Sequence, residues 1–202
     1  MNILPNKFLP GPLLAHLLSL VLLLGSCQET PVPRPRGYFR IDMPERGYLL
    51  LDSIFPFTFE YPTCTELAPD PYSPDNPYFV NINYPGFKGS IHLSYIKIDH
   101  NLPELLEDSR LLVLKHLPRA TAIRELPVID PDHRIYGMIY DIRGAGTASP
   151  YQFYLTDSTR HFIRGALYFR VPPNNDSLAP VIDFVVQDMD HLMETLEWKQ
   201  DF

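Results

Sequence analysis

The chain has 202 residues, a formal net charge of −7, two cysteines and one tryptophan. That length supports one domain with a real core and is short for two. An acidic chain with no basic run makes a poor nucleic-acid ligand, and two cysteines cannot build a disulfide framework or a cysteine-rich zinc site.

Met1 to Pro12 carries a single charge, Lys7, and an apolar run follows from Leu13 to Leu24, interrupted by His16 and Ser19. About a dozen apolar residues suit a signal-peptide core, whereas crossing a bilayer takes about 20. Leu24-Gly25-Ser26-Cys27 reads as a lipobox: a large apolar residue, two small ones, then cysteine. The expectation is cleavage between Ser26 and Cys27 and lipid on Cys27, a diacylglycerol with an N-acyl chain such as palmitate. Each buried acyl CH₂ contributes about 0.8 kcal/mol, and stable attachment takes more than one chain. No later apolar run is long enough to span a membrane. With Cys27 lipidated, Cys64 has no partner in the chain and reads as a small buried hydrophobe. Residues 28–36, QETPVPRPR, hold prolines at 31, 33 and 35 and read as a semi-rigid tether. The expected division is a signal peptide at 1–26, a lipidated proline-rich tether at 27–36 and a single globular α+β domain at 37–202.

Within that domain Tyr38-Phe39-Arg40-Ile41 alternates weakly and Tyr48 to Leu51 is apolar. Phe57, Phe59 and Tyr61 share one face of a half-buried strand, with Thr58 and Glu60 opposite. Pro62 to Pro77 reads as a long loop around Cys64. Tyr78 to Tyr84 is a strand, with Tyr78, Val80, Ile82 and Tyr84 on one face and Asn81 and Asn83 on the other. Residues 85–89, PGFKG, make a turn, and Ser90 to Lys97 returns with Ile91, Leu93 and Tyr95 on one face. A helix starts at Asn101, whose side chain fits an N-cap with Glu104 three residues on. Leu105, Leu106, Leu112 and Val113 form its apolar stripe, and Pro118 ends it after Leu117. Strands are expected at Ala120 to Leu126, Arg134 to Arg143, Pro150 to Thr156 and Arg160 to Arg170, with turns at Gly144-Ala145-Gly146 and Asp157-Ser158-Thr159. The last of these strands is apolar on both faces and so belongs at the centre of a sheet. Asp176 or Ser177 caps a final helix with Pro180 in its first turn. Val181, Val185, Met189, Leu192 and Leu196 form its buried stripe, and Gln187, Asp190, His191, Glu194 and Glu197 face out. The order predicts an α+β fold, a mainly antiparallel sheet with packed helices.

Three clusters invite chemistry. Asp157, Ser158 and His161 hold hydrolase residue types, but a nucleophile needs a shaped elbow and distant partners. Here Asp and Ser are turn formers, and His161 reads as a strand-face histidine. Asp188, His191 and Glu194 recur every three residues, and the outer face of an amphipathic helix accounts for them better than a metal site. Asp141, Arg143, Arg160 and Arg164 sit on neighbouring strands, as cross-strand ion pairs or as the lining of a polar groove. No catalytic residue, metal ligand or cofactor site emerges, and the chain reads as a non-enzyme. Its 12 Tyr and 12 Phe are core and sheet surface for the most part. An exposed aromatic patch would be a partner site, and Tyr84, Phe87 and Tyr95 around the first hairpin are the candidates.

From Arg36 onward the chain resembles one family, the gliding motility lipoproteins of the GldD type from Bacteroidota. The resemblance is carried by PRGYFRI at 35–41, PFTFEY at 56–61, YPGF at 84–87, EDSR at 107–110, YGMIYDI at 136–142 and FYLTDSTRHFIRGALYFRVPPNNDSLAPVIDF at 153–184. It implies an envelope lipoprotein needed for gliding and for the associated type IX secretion system, acting with other proteins of that machinery, with Cys27 at the lipid-attachment position. The strand and helix order is also similar, more loosely, to the Mog1/PsbP-like α/β/α sandwich. Gln28 rather than Asp after Cys27 points to outer-membrane sorting, and a lone Glu29 in place of an acidic cluster points to the periplasmic face. Other readings are a periplasmic small-molecule or glycan-binding module using the polar groove, and a hydrolase acting through Ser158 and His161.

Overall fold

The computed structural model describes residues 41–199. Cys27, the lipobox, the tether and Tyr38 to Arg40 lie outside them. The described elements are, in order, β1 (Tyr48–Leu51), β2 (Phe57–Pro62), β3 (Glu66–Pro69), β4 (Phe79–Tyr84), β5 (Gly89–Lys97), α1 (Leu102–Leu114), β6 (Ala122–Asp130), β7 (Ile135–Arg143), β8 (Tyr151–Thr156), β9 (His161–Phe169), α2 (Asn175–Glu194) and β10 (Glu197–Trp198). Seven strands form one sheet in the order β3-β4-β5-β9-β8-β7-β6, and β1, β2 and β10 form a small one in the order β1-β2-β10. Every pairing is antiparallel.

Alternation explains how the layers meet. Val80, Ile82, Ile91, Leu93, Phe153, Leu155, Ile163 and Leu167 project from one face of the large sheet into a core shared with Phe57 and Phe59 of β2 and Val181, Val185, Met189 and Leu192 of α2. Each such side chain contributes about 1.5–3 kcal/mol on burial. The opposite face carries a smaller core, where Val113 of α1 meets Tyr140 and Ile142. β9 pairs with β5 along nine residues and with β8 on its other side. Its Phe162 and Ala166 are as buried as Ile163 and Leu167, as two-sided apolar patterning requires.

Several details depart from the sequence expectations. The segment from Pro62 to Pro77 contains β3, which pairs Glu66–Pro69 with Asn83–Val80. An edge strand buried on neither face needs no alternation, and Pro69 is tolerated there. Asn101 does not cap α1 through its side chain; its Oδ1 instead accepts the Asp99 N–H at 2.9 Å. α1 stops at Leu114, and single turns carry the chain on to Arg119. α2 starts at Asn175, so Pro180 lies in its second turn and removes a helical hydrogen bond there. The Asn175 Nδ2 donates to Gly144 O, Thr147 O and Thr147 Oγ1 at 2.9, 3.0 and 2.6 Å, which ties the helix start to the β7–β8 connection. That connection needs Gly144, whose φ is +146° and whose Cβ would lie 2.4 Å from the Arg119 carbonyl oxygen. In the β4–β5 turn the left-handed residue is Lys88, with φ 52°, rather than either glycine.

Candidate functional site

A buried polar cluster that joins three distant segments is built around Asp188. A helix stripe stepping by three and four residues from Val181 through Val185 to Leu192 passes through position 188, so α2 carries this carboxylate into the core, where its side chain has no exposure. Tyr48 of β1 donates to Oδ1 at 3.0 Å, and Tyr84 at the end of β4 donates to Oδ2 at 3.1 Å. Arg46 approaches Oδ1 at 3.6 Å and lies over the Phe184 ring, 4.7 Å from its centroid. Next to it Tyr48 stacks on His191 at 3.8 Å, and the His191 Nε2 meets Glu60 of β2 at 2.6 Å. One carboxylate thus joins the segment entering β1, the end of β4 and the middle of α2.

Burial pushes the Asp188 carboxyl above its usual range, against the opposing pull of the two tyrosine hydroxyls, Arg46 and His191. Burial, with the hydrogen bond to the carboxylate and its charge, pushes Tyr48 up to about 12 and raises Tyr84 as well. These hydroxyls are donors at neutral pH, and the cluster is a fixed polar joint. Cys64 packs against the same core. Burial first and then the Asp188 charge raise its pKa, which keeps it a thiol and a poor nucleophile. Two residues further along the helix Asp190 accepts from the Tyr151 hydroxyl at 2.6 Å, so Asp190, like Asp188 and His191, is engaged with the domain and does not belong to a solvated outer face. Sequence reasoning assigns Asp188 to the outer face with His191 and Glu194, whereas the helix turns it into the core, onto tyrosine partners 104 and 140 residues away.

The other candidate residues resolve as follows. Asp188, His191 and Glu194 do not converge: Asp188 faces the tyrosines, His191 faces Glu60, and Glu194 is exposed. Asp157 closes the β8–β9 turn, its Oδ1 accepting the N–H groups of Thr159, Arg160 and His161 at 2.7–2.9 Å. Burial would raise its pKa, but these bonds outweigh burial and hold it at about 2. His161 is buried, its Nδ1 2.8 Å from the Tyr95 hydroxyl and its ring stacked on Trp198 at 5.1 Å. Ser158 sits at φ 67° in the turn. Asp157 and His161 are therefore committed to structure. Asp141 pairs with Arg124 and Arg143, whereas Arg164 donates to Gln152 at 2.6 Å. Asp141 lies opposite Tyr151, and Arg164 lies opposite Tyr154 on the other face of the sheet, so the four charged residues line no common groove. Tyr84 and Tyr95 are 1% and 6% exposed, and Phe87 packs against Tyr84 and Phe184. The three do not make an exposed aromatic patch, because the hairpin they flank is covered by α2 and the small sheet. Exposed apolar side chains lie elsewhere, among them Leu49, Leu50 and Ile54 around β1, Leu111 and Leu117 at and after α1, and Leu126 and Ile129 on β6. Sequence reasoning passed over those of β1 because the strand reads as uniformly apolar.

The model of a family described as gliding motility lipoprotein GldD matches residues 28–198. No match is found among curated proteins. Among solved structures the chain is similar to the solution structure of cyanobacterial PsbP (CyanoP) from Synechocystis sp. PCC 6803, with 10% identity and a TM-score of 0.49, over 87% of this chain and 99% of that one.

Proposed function

The chain belongs to the gliding motility lipoprotein GldD family, and from that premise we propose that it is a lipid-anchored structural or assembly component of the gliding machinery and of the type IX secretion associated with it. In this reading Cys27 carries the lipid, the outer membrane holds it, and the domain works in the periplasm by binding another machinery protein. The observation that carries the reading is the family match itself, which starts one residue after Cys27 and runs to Trp198.

The sheet edges suggest where a partner docks. A strand edge presents unpaired N–H and C=O groups, and proteins block edges with proline, charge or shortness. Edge strand β3 ends in Pro69, β6 contains Pro127 with Arg124 and Glu125, and β10 has two residues. β1, with the sequence YLLL, is short but has neither proline nor charge, and Leu49 and Leu50 are 48% and 62% exposed. Addition of a partner strand there is a known recognition mode.

The test is cross-linking in intact cells followed by purification from membranes, with Cys27→Ala and Leu50→Asp as variants. The expected outcome is recovery of a few machinery proteins at fixed ratio with the native chain, loss of membrane attachment in Cys27→Ala, and loss of the partners but not of attachment in Leu50→Asp. Recovery of the native protein alone in good yield would sink the assembly reading.

A further inference from the structure

A cleft of ≈ 350 Å³ opens on the surface away from Asp188, lined by Pro56, Asn76, Pro77, Tyr78, Tyr95 and Lys97. Its floor is aromatic: the Tyr78 and Tyr95 rings meet edge to face at 5.7 Å. Tyr95 is buried and its hydroxyl is occupied by His161, so it backs the cleft and Tyr78 supplies the aromatic surface. Three polar groups at the wall have no hydrogen-bond or ion-pair partner among the described residues: the Asn76 carboxamide, the Tyr78 hydroxyl and the Lys97 ammonium.

We propose that this cleft binds a sugar ring bearing a carboxylate, a ligand of the uronic acid class. Small-ligand sites combine an apolar floor with a few placed polar groups, and each group here has a distinct use. The electron-rich face of Tyr78 takes the C–H face of a sugar. Asn76 and the Tyr78 hydroxyl bond ring hydroxyls, and Lys97 takes the carboxylate. A flat aromatic acid would use the ring and Lys97 but leave the carboxamide and hydroxyl idle. A neutral sugar would leave Lys97 unpaired. The inference is independent of the β1 docking edge.

The chain supplies its own reporter, since its single tryptophan stacks on the histidine that holds Tyr95. Full-length protein in detergent micelles is titrated with glucuronate, glucose and benzoate, followed by Trp198 fluorescence and by isothermal titration calorimetry. Saturable glucuronate binding at about 1 mM is expected, as suits a small ligand in an open cleft, with glucose and benzoate about tenfold weaker. Lys97→Gln, at an exposed position and so compatible with folding, should weaken glucuronate about tenfold and leave glucose unchanged, while Leu126→Ala changes neither. Absence of a saturable glucuronate signal by calorimetry, equal binding of the three compounds, or glucuronate binding indifferent to Lys97→Gln would each overturn the proposal.

Discussion

Asp188 shows what a single residue decides in this protein. Its carboxylate satisfies two hydroxyls, and Tyr84 is 1% exposed, so no water can replace the lost acceptor. Asp188→Ala is expected to cost about 2–3 kcal/mol, mostly from a buried hydroxyl left without a partner. Asp188→Asn keeps one acceptor and should cost about 1 kcal/mol at neutral pH. The pH dependence separates the charge from the hydrogen bonds. The folded pKa is raised above the ordinary value of 3.8, so the folded state holds its proton more tightly than the unfolded chain does. The stability this contributes is fully present below the unfolded pKa and is lost as pH rises through the folded one. The stability of the native chain relative to Asp188→Asn should therefore fall as pH rises from 3.8 towards neutrality. Urea unfolding at a series of pH values measures this, and a difference that is flat or rises with pH would show that Asp188 is not a desolvated carboxylate.

Among the elements, β9 shows both how much of the fold is legible in sequence and where legibility stops. Two-sided apolar patterning in Phe162, Ile163, Ala166 and Leu167 is enough to put it in the middle of a sheet. Nothing local reveals that its neighbour is β5, about 70 residues earlier in the chain, because a strand's pattern specifies its face and not its partner. β3 was missed for the converse reason: a strand with no buried face leaves no pattern. The candidate site was less legible still: Asp188 reads as an outer-face acid beside His191 and Glu194, and only the fold brings Tyr48 and Tyr84 to it and buries it. Gly165 interrupts the alternation of β9 without an evident reason in sequence. In the fold it lies opposite Phe153 of β8, whose ring covers it so closely that a Cβ would fall 2.3 Å from Phe153 Cε1. Phe153 is 1% exposed and has nowhere to turn. Gly165→Ala should destabilise by about 1–3 kcal/mol through overpacking, and a smaller ring-free neighbour should relieve it. In a Phe153→Leu background the cost of Gly165→Ala should shrink by at least about 0.5 kcal/mol, the lower end of coupling between residues in contact. Additive costs would mean that the glycine serves the backbone rather than the ring.

For the whole molecule, stability is expected to be uneven in a way that matches the proposed use of β1. β9 is hydrogen-bonded on both sides and packed on both faces, whereas β1 has four residues, one paired neighbour and two exposed leucines. Amides open locally with free energies from near zero up to the global value, following how many contacts must break. Native-state hydrogen exchange should find Phe162 to Leu167 exchanging only through global unfolding, with the full denaturant dependence. Leu49 and Leu51, whose amides face β2, should exchange through a local opening that depends little on denaturant. Tyr48→Phe makes the test specific, because it deletes the hydroxyl that joins β1 to Asp188 and leaves Tyr84 to satisfy the carboxylate. Its expected effect is faster exchange in β1, corresponding to about 1 kcal/mol, with a smaller change in β9. Equal acceleration of both strands would mean that β1 opens only with the whole domain. An edge that cannot open on its own has little freedom to adjust to an incoming strand, and the docking surface would then have to be sought on the rigid faces around Leu126 and Ile129.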